Sequence, residues 1–352
     1  MFAIRGPRLV CLPFLAGFPL LMGGCPVDPG VIGPIGPAGA DGSLRIYGDG
    51  SAGALTAPAG LSAFFTTIAT NGNLQFTDVT IPSGSTVFVP SGTIIRCTGT
   101  FTNNGAVSVI AVASTAGQGH FGDGSDGSNN APSGGVSSSA ASSGEIGDET
   151  LLRAGGRAGT GLAITEARNV LNPGVIGGGG GAGSNSGAGG AGGGTVTILA
   201  RTAIVNATGA TISALGAAGT AGKGGGAGGV VILASPGTVT NSGSITVKGG
   251  AGGASDTSRG PGGGGGGGII HLLTPTTTLG TVDITGGGAG ALGGAGSILT
   301  VLRVGGGGGG ACGGGGGQGG PVDTGVPGTP FSASAGFAGH SLSTTADPTS
   351  LF

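Results

Sequence analysis

Between residues 193 and 304, short apolar clusters recur directly after glycine-rich runs. The clusters at 195–199, 230–234, 269–273 and 298–302 start 35, 39 and 29 residues apart, a spacing typical of repeat proteins. A second segment follows the first three clusters, at 211–215, 244–248 and 281–285. In each, the second and fourth positions are apolar and the first and third are Thr, Ser or Asp. A period of two marks a half-buried strand. The expected inward residues are therefore Val196, Ile198, Val231, Leu233, Ile270, Leu272, Leu299 and Val301, together with Ile212, Ala214, Ile245, Val247, Val282 and Ile284.

Upstream, residues 78–110 divide into four- and five-residue strands separated by Pro-Ser-Gly and Asn-Asn-Gly turns, a spacing that suits a triangular coil. The last of them matches the second repeat strand column by column, with Val107 and Val109 apolar and Ser108 between. Asn104-Gly105, Asn206 and Asn241 stand just before that strand, and asparagine tolerates the left-handed backbone of such turns. Stacked turn asparagines are a habit of right-handed parallel β-helices, which this part resembles. The expected fold is an all-β, right-handed parallel β-helix with glycine-rich loops, of four or five rungs. It spans 78–304, with a loop-rich insertion at 114–192, an N-terminal cap at 43–77 and a glycine-rich C-terminal tail at 305–352.

Composition sharpens this picture. Of 352 residues, 92 are glycine and only 7% are charged. Disordered chains pair low hydrophobicity with high charge, whereas here glycine alternates with compact Val, Ile, Leu and Thr clusters. The glycine runs at 177–181, 262–268, 305–310 and 313–317 lack the Lys-Ser or Lys-Thr of a phosphate loop and the following helix of a dinucleotide site. They are expected to stack on one edge as extended three-fold helices, backbone against backbone; flexible unstacked loops are the alternative. Net charge is −2, and neither basic patches nor aromatic platforms point to nucleic acid.

At the N-terminus, Arg5 and Arg8 precede an uncharged apolar stretch, 9–22, too short to span a bilayer comfortably. It reads as a signal peptide, 1–24. Its end, Leu21-Met22-Gly23-Gly24-Cys25, resembles the lipobox of bacterial lipoproteins, with Met22 where leucine is commonest. That resemblance implies lipidation at Cys25 and export; Pro26 in place of the retaining Asp favours the outer membrane or cell surface. The alternative is an ordinary signal followed by a structural cysteine. Residues 25–42 hold four Gly-X-Y triplets and resemble collagen-like segments of bacterial surface proteins, implying a semi-rigid linker or, with help from the following domain, a homo-trimer.

Catalytic chemistry has little to draw on. Lys248, Asp256, Arg259, His271, Asp283 and Arg303 are the repeat region's candidates, and three scattered histidines assemble no triad or zinc set. His271 is expected on the surface, and Lys248 with Asp283 as a surface ion pair. Asp123 and Asp126, in a glycine loop present once, are expected to be solvated rather than a calcium site. A short helix is expected within 162–171. Cys97 and Cys312 are expected to be free. No cofactor or metal is expected. The leading functional expectation is a structural or adhesive surface protein without catalytic activity, contacting surface glycans or other cells. An ice- or crystal-binding face formed by Thr211, Ser213, Ser244, Thr246 and Thr281 is the sharper rival, weakened by Lys248 and Asp283 in its rows. A polysaccharide-processing β-helix enzyme is the third.

Overall fold

Alternating apolar residues stack into three parallel six-stranded sheets. In the computed structural model the residues described are 46–65, 69, 72–110, 158–171, 178, 181, 189–256, 259–292, 303–310, 313–322 and 332–352. The first rung is β1 (Leu55–Thr56), β2 (Ser62–Phe64) and β3 (Gln75–Phe76), and the second is β4 (Val79–Ile81), β5 (Thr86–Pro90) and β6 (Thr93–Cys97). The third rung is β7 (Thr100–Asn103), β8 (Ala106–Ile110) and β9 (Thr195–Ala200), and the fourth is β10 (Ala203–Asn206), β11 (Thr211–Ser213) and β12 (Val230–Ala234). The fifth comprises β13 (Thr238–Asn241), β14 (Ser244–Thr246) and β15 (Ile269–Leu273). In the sixth, β16 (Thr276–Thr278) and β17 (Thr281–Asp283) are completed by β20 (His340–Thr344).

Each rung gives one strand to each sheet, so sheet A runs β1-β4-β7-β10-β13-β16, sheet B β2-β5-β8-β11-β14-β17 and sheet C β3-β6-β9-β12-β15-β20. This is a right-handed parallel β-helix. A pair β18 (Arg303–Val304) and β19 (Pro321–Val322) runs antiparallel beside it.

Register brings like residues into columns inside the coil. Val87, Val107, Ile212, Ile245 and Val282 align in sheet B, and Phe101, Ile204 and Val239 in sheet A. Every expected inward residue of clusters 195–199, 230–234 and 269–273, and of the strands at 211–215 and 244–248, is buried. Val282 and Ile284 are partly buried against that core, while Leu299 and Val301 lie outside the described residues.

Asparagines form a ladder at the A-to-B corner. Asn103 Nδ2 donates to Asn206 Oδ1 and Asn206 Nδ2 to Asn241 Oδ1, each at 2.8 Å. The ladder begins at Asn103, one residue before the Asn104 expected from the turn, because Asn103 is the residue in register with Asn206 and Asn241.

The coil extends past both expected ends. β1, β2 and β3, expected to lie in a cap, form a first rung, where Phe65 and Phe76 pack edge to face at 5.8 Å. The segment expected to be a tail supplies β20, so the sheet C neighbour of β15 is 340–344 rather than 298–302. At that end the core-side positions of β20 are Ser341 and Ser343, both exposed. Hydroxyls there let the last rung meet water without an apolar edge.

Through β9, β12 and β15, sheet C is buried on both faces. Its outward residues Leu199, Val230, Ile232, Ala234, Ile269 and Leu273 form a second core with Ile46, Tyr47, Leu162, Ala167 and Leu342. The helix α1 (Ile164–Arg168), shorter than the stretch in which it was expected, contributes Ala167, and Glu166 caps it by accepting from the Ala163 amide at 2.9 Å. All these residues belong to one unit, Gly42–Phe352.

Candidate binding faces

The long glycine-rich inserts all leave the coil at the same corner, between sheets B and C: 111–194, 214–229, 247–268 and 284–339. Their described parts stack as hydrogen-bonded extended segments. Gly262, Gly265 and Gly268 donate to Gly253, Gly250 and Val247; Gly263 and Gly266 to Gly306 and Gly309; Gly264 and Gly267 to Ser334 and Phe337, all at 2.8 to 3.0 Å. A partner that changes with every residue and returns every third is the signature of a three-fold extended helix.

The carbonyls of the same run accept from three further segments, at 225–228, 287–290 and 313–317. One glycine helix thus has six neighbours and no unpaired backbone group, which meets the requirement for burying it. Added Cβ atoms at Gly225, Gly250 and Gly265 would each overlap a neighbouring segment's carbonyl. Stacked edge helices, the sequence expectation, describe the runs at 262–268, 305–310 and 313–317. Only Gly178 and Gly181 of the run at 177–181 are described.

The outermost glycine layer continues sheet B. There the residues at 215, 218, 248, 251, 254, 285, 288 and 291, every third along three segments, are exposed. They carry Leu215, Lys248 and Thr285 near the coil and Ala or Gly beyond. The hydroxyl row expected on sheet B is in place: Thr211 pairs with Ser244 and Ser244 with Thr281, and Ser213 pairs with Thr246. It is bounded by Thr86 and Phe88 on one side and interrupted by Asp283, which aligns with Thr246.

Lys248 and Asp283 do not form the expected ion pair. Asp283 accepts from the amide and hydroxyl of Thr285 at 3.0 and 2.6 Å. Burial raises its pKa, but the Thr285 hydrogen bonds and the more distant Lys248 outweigh that and leave it below the usual carboxylate value.

Sheet A carries a face the sequence reading missed. Its outward residues fall into two columns. One is Thr100, Ala203, Thr238 and Thr276; the other is Thr56, Thr80, Thr102, Val205, Thr240 and Thr278. Eight of these ten are threonine and none is charged. A lone carboxylate, Asp78, stands at the head of the first column, where it accepts from the Thr100 amide at 2.7 Å. The Thr-X-Thr spacing at 100–102, 238–240 and 276–278 is visible in the sequence, but Ala203-Ile-Val205 breaks it at the rung between the first two.

The remaining candidates are dispersed. Asp256 and Arg259 pair at 3.8 Å in a glycine-rich turn away from the sheets. Cys97 is free and buried, and burial together with Asp78 pushes its thiol up to about 12. An apolar cavity of about 350 Å³ outside sheet C is lined by Ile94, Leu199 and Phe352 and by half-buried Arg96. Among the described residues no group of three or more His, Cys, Asp or Glu side chains is arranged to hold a metal. Nor is any helix there long and apolar enough to cross a membrane. Cys25, the Gly-X-Y segment, Asp123, Asp126 and Cys312 lie outside the described residues.

His271 is buried, contrary to expectation. It points away from the coil's core, as its column requires, but into the second core covering sheet C, where it is only 1% exposed. Nε2 lies 2.8 Å from Thr344 Oγ1 and Nδ1 has no partner. Burial, then Arg168, pushes its pKa down to about 4 from 6.5. The unfolded chain therefore takes up the proton first as pH falls. Stability should be unaffected above about pH 7 and decline between about pH 6.5 and 4, by up to about 3 kcal/mol. Urea unfolding of His271→Leu across that window should lack this part of the slope; an unchanged slope would rule the residue out as its source.

No family model, curated protein or solved structure matches this chain.

Proposed function

We propose that the protein is an exported, non-catalytic adhesive module, anchored in the outer membrane or at the cell surface through lipid on Cys25. The observation that carries this reading is the sandwich of hydrogen-bonded glycine layers joined to sheet B, a rigid platform whose outer surface, beyond Leu215 and Lys248 beside the coil, is built from small side chains and hydroxyls. A rigid platform loses little conformational entropy on binding. The Gly-X-Y segment is suited to hold it off a membrane as a short spacer. The candidate ionisable side chains are scattered over separate faces, which leaves general acid–base chemistry without a paired set.

The partners we assign are surface glycans or other cells. The test is retention of the purified domain on glycan arrays and whole cells, compared with Ala251→Lys and Ala254→Lys on the outer glycine layer. Both side chains are exposed, so the fold should survive. Retention by the parent and loss in the variants is expected. Absence of retention by the parent would overturn the adhesive reading.

A further inference from the structure

We infer that the outward face of sheet A is an ice-binding surface, distinct from the sheet B row and independent of the adhesive reading. The first ground is periodicity. Parallel, in-register rungs place equivalent side chains about 4.8 Å apart across strands and about 6.6 Å apart along them. On sheet A the two columns carry the same side chain at most lattice points, so the surface is periodic in two directions. A periodic surface matches a periodic partner.

The second ground is the side chain. Threonine is stiff at χ1, and identical neighbours in one register favour one rotamer. The hydroxyls and methyls therefore form fixed parallel rows before any ligand arrives. Methyl rows restrict the water between them, since apolar surface limits the orientation of first-shell water. The hydroxyls, each both donor and acceptor, tie that water to the protein. Such a layer can merge with a crystal lattice of water. Val205 and Ala203 interrupt the hydroxyl rows but keep the surface small and uncharged.

The third ground is what this face leaves out. Strand propensity alone favours threonine, but it would act equally on sheet B, whose outward positions include Phe64, Phe88 and Asp283 and lead into Lys248. From Thr100 to Thr278 the outward positions of sheet A carry neither charge nor ring; the one ring of these strands, Phe101, faces the core. Crystalline polysaccharide, unlike hydrated surface glycans, presents flat arrays of sugar-ring faces, which aromatic side chains match with large apolar contact area. An uncharged lattice without rings therefore fits ice better than crystalline polysaccharide.

The test uses the full mature chain, fluorescently labelled, with a slowly growing ice hemisphere and a nanolitre osmometer. The parent should enter the ice and produce thermal hysteresis. Thr238→Lys and Thr240→Lys should each reduce both to the level of a non-binding control protein, with melting temperatures close to the parent's. Thr246→Lys on sheet B should leave both intact. Exclusion of the parent from ice would overturn the inference, as would loss in Thr246→Lys equal to that in Thr240→Lys. So would retention of the parent on crystalline chitin or cellulose, but not in ice, abolished by Thr240→Lys.

Discussion

Alanine in place of Gly287 should destabilise the protein by about 3 kcal/mol or more, while alanine at Gly288 should be neutral or slightly stabilising. The two residues are adjacent in one extended segment of the outermost glycine layer, where a three-fold helix turns each successive residue toward a different neighbour. Gly287 donates to Gly265 at 2.7 Å and accepts from Gly336 at 2.9 Å. A Cβ on Gly287 would overlap the carbonyl group of Gly250, whereas one on Gly288 meets nothing within 4 Å.

Overpacking a core costs about 1–3 kcal/mol when side chains can shift, and occasionally more. Here the obstacle is backbone, held at both ends by the coil, so the upper part of that range or beyond applies. Gly288→Ala only narrows the unfolded ensemble, worth about 0.4–1 kcal/mol in its favour. Urea midpoints of the two variants decide the matter. Equal effects would mean that the layers are not packed backbone to backbone.

What the sequence made legible follows from signal length. The clusters at 195–199, 230–234 and 269–273 are five residues long and follow glycine, so their register and inward residues could be assigned without a structure. The first rung could not be, because β1 and β3 are two residues each, too short to show alternation. The last rung was hidden differently. The 56-residue insert at 284–339 separates β17 from β20, and the Ser-Leu-Ser of β20 inverts the apolar phase of its column.

The burial of His271 was legible in part. Val230-Val-Ile-Leu-Ala234 and its neighbours are apolar at both alternations, which marks a strand covered on both faces. The partners that cover it, Ile46, Tyr47, Leu162 and Leu342, are remote in sequence and carry no repeat signal. Sheet A's threonine face carried little signal, because its strands are two to four residues long and β7, β10, β13 and β16 each turn a single residue between their threonine columns inward, Phe101, Ile204, Val239 and Thr277. The glycine sandwich was legible as a class of structure, but its pairing was not. Glycine has no side chain to encode a partner, so order there is imposed by which rung each insert leaves and rejoins.

Asn206→Ala should cost about 2–5 kcal/mol, with Asn104→Ala close to neutral. Asn206 is fully buried and occupies the middle of the ladder, accepting from Asn103 and donating to Asn241 and to the Ser244 carbonyl at 3.3 Å. Its truncation strands Asn241 Oδ1 and takes from Asn103 Nδ2 one of two acceptors, the other being the Thr211 carbonyl at 3.0 Å. Each buried polar group left without a partner costs about 1–3 kcal/mol, and a cavity adds to that. Asn241→Ala, at the end of the ladder, should cost less, because it breaks two side-chain hydrogen bonds, the one accepted from Asn206 and one donated to the Thr281 carbonyl at 3.2 Å, where Asn206→Ala breaks three. Asn104, half-buried in the turn, lies outside the ladder. Chemical unfolding of the three variants should therefore rank Asn206 above Asn241 and both above Asn104. A larger loss at Asn104 than at Asn206 would show that the turn, and not the side-chain ladder, fixes the corner between sheets A and B.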